Sequence, residues 1–148
     1  MKPDQTPSAE HPPLDERHCR RLLGTTSVGR VVYTVGALPA VLPTRFRLGG
    51  DGSVLLCAAA GSELVRAVSG ALVAFEAGEV STSDGSGWSV TVLGRADIDE
   101  GPSPHDPGPC GHPGRVGIRI LAELVTGRLL TASRACEQDV VPLHSEGR

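Results

Sequence analysis

Arg45 and Arg47 stand two residues apart in a run of extended-chain formers, so both guanidinium groups leave the strand on the same side. Further on, Ala58-Ala59-Ala60-Gly61-Ser62 forms a corner of small residues between an apolar run and the start of a helix. An anion there would meet backbone N–H groups that the first helical turn leaves unused. Arginines and free amides together make anion chemistry. The plainer reading is a pair of solvated strand arginines, with Ser62 acting first as a helix cap. No Ser/His/Asp set, paired carboxylates, P-loop or dinucleotide fingerprint is present, so hydrolysis and phosphoryl transfer have no machinery. Chemistry carried by a bound cofactor needs none of these groups.

The elements that must position these residues follow from apolar alternation and glycine punctuation. The stretch Val28 to Leu64 reads as three strands running into a helix: about Val28 to Thr34, Leu38 to Leu48 and Ser53 to Ala58. The helix spans about Ser62 to Ser69, with Leu64, Val65 and Val68 inward. Pro39 and Pro43 cannot donate ladder hydrogen bonds, which puts the second strand at an edge or opening. Further strands are expected over Ala71 to Ala77, Trp88 to Ile98 and Arg115 to Leu121, with a short helical turn over Ala122 to Gly127. Leu14 to Leu23 reads as a helix whose Leu14, Cys19, Leu22 and Leu23 lid one end of the sheet. These elements predict a mainly β domain with short α segments, a six-stranded antiparallel β-barrel, closed or partly split, over residues 14–130. Residues 1–13 read as a disordered arm, 131–148 as a tail, and Gly101 to Gly114 as a long surface loop.

A chain of 148 residues with formal charge -3 and pI near 5.9 offers no basic field for nucleic acid. No apolar run reaches the roughly 20 residues of a membrane helix, and the N-terminus lacks a signal-peptide pattern, so a cytoplasmic location is expected. Cys19, Cys57, Cys110 and Cys136 form no C-x-x-C pair and are expected as unpaired thiols, Cys57 as a small core residue. His105, Cys110 and His112 lack a fourth ligand and a defined spacing, and no metal is assigned to them.

Leu14-Asp15-Glu16, Val28-Gly29-Arg30-Val31, Leu38-Pro39-Ala40, the Gly61 corner, Val73-Ala74-Phe75-Glu76, Gly87-Trp88-Ser89-Val90, Gly94-Arg95-Ala96 and Glu123-Leu124-Val125-Thr126-Gly127-Arg128 occur in an order that resembles one family. It is that of pyridoxamine 5'-phosphate oxidase-like FMN-binding proteins, in their actinobacterial-type branch. The resemblance implies a split barrel, a homodimer, and FMN at the dimer interface, serving an oxidoreductase on a small substrate or reductant. Carried over by position, it implies flavin contacts at Arg45 and Phe46, and a phosphate corner at Ala58, Ala59, Gly61, Ser62 and Glu63. It also implies that Trp88 and Ser89 lie on the strand reaching the partner's flavin. Relatives usually have threonine where this chain has Ala58 and lysine where it has Glu63. That departure sustains a second reading, a non-catalytic barrel that has weakened or lost FMN, or holds deazaflavin or haem. No residue set for recognising pyridoxal phosphate itself is found.

Overall fold

The computed structural model describes residues 11–99, 110–111 and 113–132, which contain nine strands and two helices. The order is β1 (Pro13–Leu14), α1 (Glu16–Leu23), β2 (Val28–Val35), β3 (Leu38–Arg45), β4 (Arg47–Leu48), β5 (Val54–Ala59), α2 (Glu63–Val68), β6 (Leu72–Val80), β7 (Gly87–Asp99), β8 (Arg115–Ile120) and β9 (Leu124–Leu130). Every strand pair is antiparallel, and the main path runs β3-β2-β6-β7-β8-β5-β4. The two outer strands of that path, β3 and β4, are consecutive in the chain with only Phe46 between them. The sheet therefore curls back on itself as a barrel, in line with the expected architecture.

Three expectations are corrected. The six strands become nine: the second is broken at Phe46, whose backbone N–H donates to Ser27 O at 2.9 Å instead of joining a ladder. Two short or late strands, β1 and β9, pair with each other and were not expected. Ala122 to Gly127 is not a helical turn, because Leu124–Leu130 lies along β7 from Leu93 back to Gly87. The 13-residue β7 explains this: its first part pairs with β9 and its last part with β8. The change of partner falls at Gly94, where any Cβ would strike the Leu121 carbonyl.

Alternation sorts the side chains into an interior and two exterior faces. Inside lie Val31, Tyr33, Val54, Leu56, Phe75, Val90, Val92, Ile118 and Ile120, with Phe46 and Phe75 ring centroids 4.7 Å apart. Gly29 makes room for Phe75: an added Cβ would run into its ring. Helix α1 opens with Asp15, whose side chain accepts from His18 N at 2.7 Å, and seals one end with Cys19 and Leu23. Burial and the nearby Asp15 raise the Cys19 pKa.

Candidate functional site

The exterior of β4, β5 and β8 carries Arg47, Arg115 and Arg119. Register pairs Arg47 with Leu55, Leu55 with Arg119, Cys57 with Gly117, and Ala59 with Arg115. Arg45 and Arg47 flank the inward-facing Phe46 and are exposed, so both point outward, as the spacing predicts. A depression of about 360 Å³ opens among Arg45, Arg47, Cys57 and Arg115, and among the described residues no carboxylate lines it. A second, of about 430 Å³, continues past Arg115 to Ala58, Ala59, Ser62 and Glu63. Both volumes fall in the roughly 300–1,000 Å³ range of small-molecule sites. The Arg115 guanidinium also donates to the Cys57 carbonyl at 3.0 Å, which fixes its head over β5.

At the corner, Ser62 caps α2 by accepting from Val65 N at 3.3 Å. Its hydroxyl oxygen is thus engaged as an acceptor, in keeping with the plainer reading. Arg66 reaches back to the Gly61 carbonyl, and Gly61 itself faces open space. Ala58 turns its methyl into the core, whereas Ala59 is exposed. Glu63 lines the second depression but not the arginine-rich one. Trp88 is buried in the core and Ser89 donates to Glu76 Oε1 at 3.1 Å, so neither joins the arginine cluster of its own chain.

Two cysteine expectations are overturned. Cys57 is half-buried and faces outward, and it forms a disulfide with Cys110, their Cα atoms 5.8 Å apart. The two are separated by 53 residues, so no local spacing announces the pair. What brings them together is the β5–β8 register, which sets Gly117 beside Cys57 and returns the preceding chain over it. Cys19 is a buried free thiol, while Cys136, His105 and His112 lie outside the described residues. Cys110, spent in the disulfide, is not a thiolate ligand for a metal. Arg115 and Cys57 are groove residues that the sequence pattern did not single out, and Arg119 lies next to them on the same face of β8. The alternation Arg115-x-Gly117-x-Arg119 was the available signal, since it puts both arginines on one face.

On the same exterior, Arg119 pairs with Asp51 at 3.1 Å. Hydrogen bonds from Ser53, and then Arg119, hold the Asp51 carboxyl below its ordinary value. The other exterior face, across β3, β2, β6, β7 and β9, carries a registered row of Val41, Val32, Ala74, Leu93 and Leu124. Val41 is 59% exposed, Leu124 52% and nearby Leu72 67%. Below that row, Arg30 pairs with Glu76 at 3.4 Å, and Glu76 also accepts from Ser89.

Residues 15–103 match the family model of pyridoxamine 5'-phosphate oxidase. The chain belongs to that family. Within 88 residues it is 41% identical to uncharacterized protein Rv0080 of Mycobacterium tuberculosis, a match that covers 56% of this chain and 57% of that relative's length. The FAD binding protein of Mycobacterium smegmatis superposes with a TM-score of 0.65 at 28% identity, over 82% of this chain and 99% of the other. An FAD-binding protein of Mesorhizobium loti, 21% identical and with the same TM-score and coverage, shows the shared fold. Pyridoxamine 5'-phosphate oxidase-like barrels thus account for the architecture described above. Among the described residues, no helix is long and apolar enough to cross a membrane.

Proposed function

We propose that this chain binds a flavin nucleotide, FMN in the simplest form, in the groove over β3, β4, β5 and β8. The phosphate is placed against Arg45 and Arg115, with Arg47 and the Ala59–Ser62 backbone alongside. The observation that carries this reading is the depression that gathers three arginine side chains and, among the described residues, no carboxylate. Guanidinium groups present several donors in a planar fork suited to phosphate. The M. smegmatis relative, at 28% identity, is described as binding FAD, which supports a flavin ligand in this barrel type.

When bound, the flavin supplies hydride or single-electron transfer, and the reading is of an oxidoreductase acting on a small substrate. The chain's own residues bind and orient. Arg45 and Arg115 neutralise the phosphate, while Thr44 and Leu42 wall the opening. A homodimer is part of the proposal, since the apolar row from Val41 to Leu124 is the kind of exposed patch that marks an interface. The partner's Trp88–Ser89 strand would then approach the flavin. A flavin-free ligand-binding barrel is the second reading, favoured by Glu63, whose carboxylate lines the depression next to the arginines.

The test is to purify the full chain, record its visible absorbance, and titrate it with FMN. Flavin absorbance on the protein, or saturable uptake that is weakened in Arg45→Ala and Arg115→Ala, is the expected result. A colourless protein that takes up no FMN sinks the proposal in favour of the second reading.

A further inference from the structure

The side chain of Cys57 borders both the arginine-lined depression and the one beside it, which makes the Cys57–Cys110 disulfide a wall of the groove and not a remote staple. Among the described residues, arginines predominate around it. Arg115 and Arg119 lie diagonally across β8 from Cys57, and Arg45 and Arg47 border the same depression from the other side. Among the described residues two carboxylates also border hollows that Cys57 lines, Asp99 with Arg47 and Arg119 and Glu63 with Arg115, and Asp51 is paired with Arg119; the arginines outnumber them. Both cysteines are half-buried, and Cys57 lines the groove, so the disulfide is not sealed in the core.

A disulfide opens fastest when the departing sulfur is stabilised as a thiolate, and neighbouring arginines do that for Cys57. We propose that Cys57–Cys110 is a thiol–disulfide exchange site whose co-substrate is a small thiol carrying a carboxylate. In the first step the thiolate of the small molecule attacks Cys110 Sγ. A mixed disulfide forms on Cys110, the Cys57–Cys110 bond breaks, and Cys57 leaves as a thiolate among the arginines. A second small thiolate attacks the sulfur of the adduct, releasing Cys110 as a thiolate and a symmetric small-molecule disulfide. Two thiols are oxidised, one protein disulfide is reduced, and the two protons end in solvent or on the protein thiols. The groove's positive field selects the anionic thiol. The step uses no flavin, so it stands or falls apart from the proposal above.

The experiment takes the full chain, purified without reductant and free of flavin, and alkylates it after denaturation. Cys57 and Cys110 are expected to resist labelling until reduced; labelling of both as purified overturns the proposal. Exchange rates are then compared, per thiolate, for mercaptoacetate and the cationic cysteamine. Mercaptoacetate is expected to react about tenfold faster, of the order that field focusing produces. Arg45→Gln and Arg115→Gln should shrink that ratio, and added salt should do the same in the unaltered protein, which covers a variant that fails to fold. Equal rates for the two thiols, or a ratio that neither salt nor the variants change, contradict the proposal. Peptide mass spectrometry should place the first adduct on Cys110; an adduct on Cys57 would refute the assignment of the leaving sulfur.

Discussion

The barrel has two exteriors built by the same alternation over the same core, and they differ in what the outward residues are. Over β4, β5 and β8 the outward set is Arg47, Leu55, Cys57, Arg115 and Arg119, and the surface is concave and cationic. Over β3, β2, β6, β7 and β9 one complete row is Val41, Val32, Ala74, Leu93 and Leu124. Interior residues decide that a barrel forms; exterior residues decide what it meets. On the proposed reading the first face takes a phosphorylated small molecule and the second a protein surface.

The comparison breaks most completely at what the faces share. Phe75 is fully buried beneath both, against Phe46, so Phe75→Ala should cost about 3–5 kcal/mol of unfolding free energy in a denaturant titration. A loss below 1 kcal/mol would mean that the two exteriors do not rest on a common core. Next in size is the cationic face: Arg115→Ala should weaken FMN by about 1.5–3 kcal/mol, roughly ten- to hundredfold, measured by fluorescence titration. The same substitution should leave the oligomeric state alone. Val41→Asp is the converse. It places a charge in the apolar row and should shift the protein toward monomer in sedimentation, whereas a monomeric unaltered protein would remove the dimer from the proposal.

Smaller effects sharpen the picture. Glu63 is exposed, so Glu63→Lys should tighten FMN by about 1 kcal/mol, the water-screened value for charges about 4 Å apart. Unchanged affinity would move the phosphate away from Glu63 and toward Arg45. The smallest effect is at Asp51, whose folded pKa is depressed by Ser53 and Arg119. Its contribution to stability is complete above the unfolded carboxylate pKa and fades as pH falls through the folded one. Asp51→Asn should therefore flatten the acid limb of the stability curve slightly; a steeper acid limb would contradict that sign.

Most of the barrel was legible because β2, β3, β5, β6, β7 and β8 announce themselves by apolar alternation between glycine-rich turns. Gly36, at a φ of 61°, is one such turn, linking β2 to β3. Strand β9 was not legible: Leu124-Val125-Thr126-Gly127 is short and ambiguous, and only the length of β7 gives it a partner. The break at Phe46 arises from a tertiary hydrogen bond to Ser27, which no local pattern encodes. Within the site, Arg45 could be placed from its spacing to Arg47 alone. Arg115 and Cys57 enter the groove only through the β5–β8 register, and the Cys57–Cys110 bond only through the return of chain that this register forces. Ala58 and Glu63, two positions drawn from family resemblance, turn out to face the core and a neighbouring depression.

Whether the arginine-lined hollow holds a flavin phosphate is tested directly by titrating FMN into the unaltered chain and an Arg45→Ala/Arg115→Ala double variant. Saturable binding to the unaltered chain, lost or greatly weakened in a double variant that remains folded, is the predicted result. Equal affinity in both proteins, or no binding to either, would contradict it.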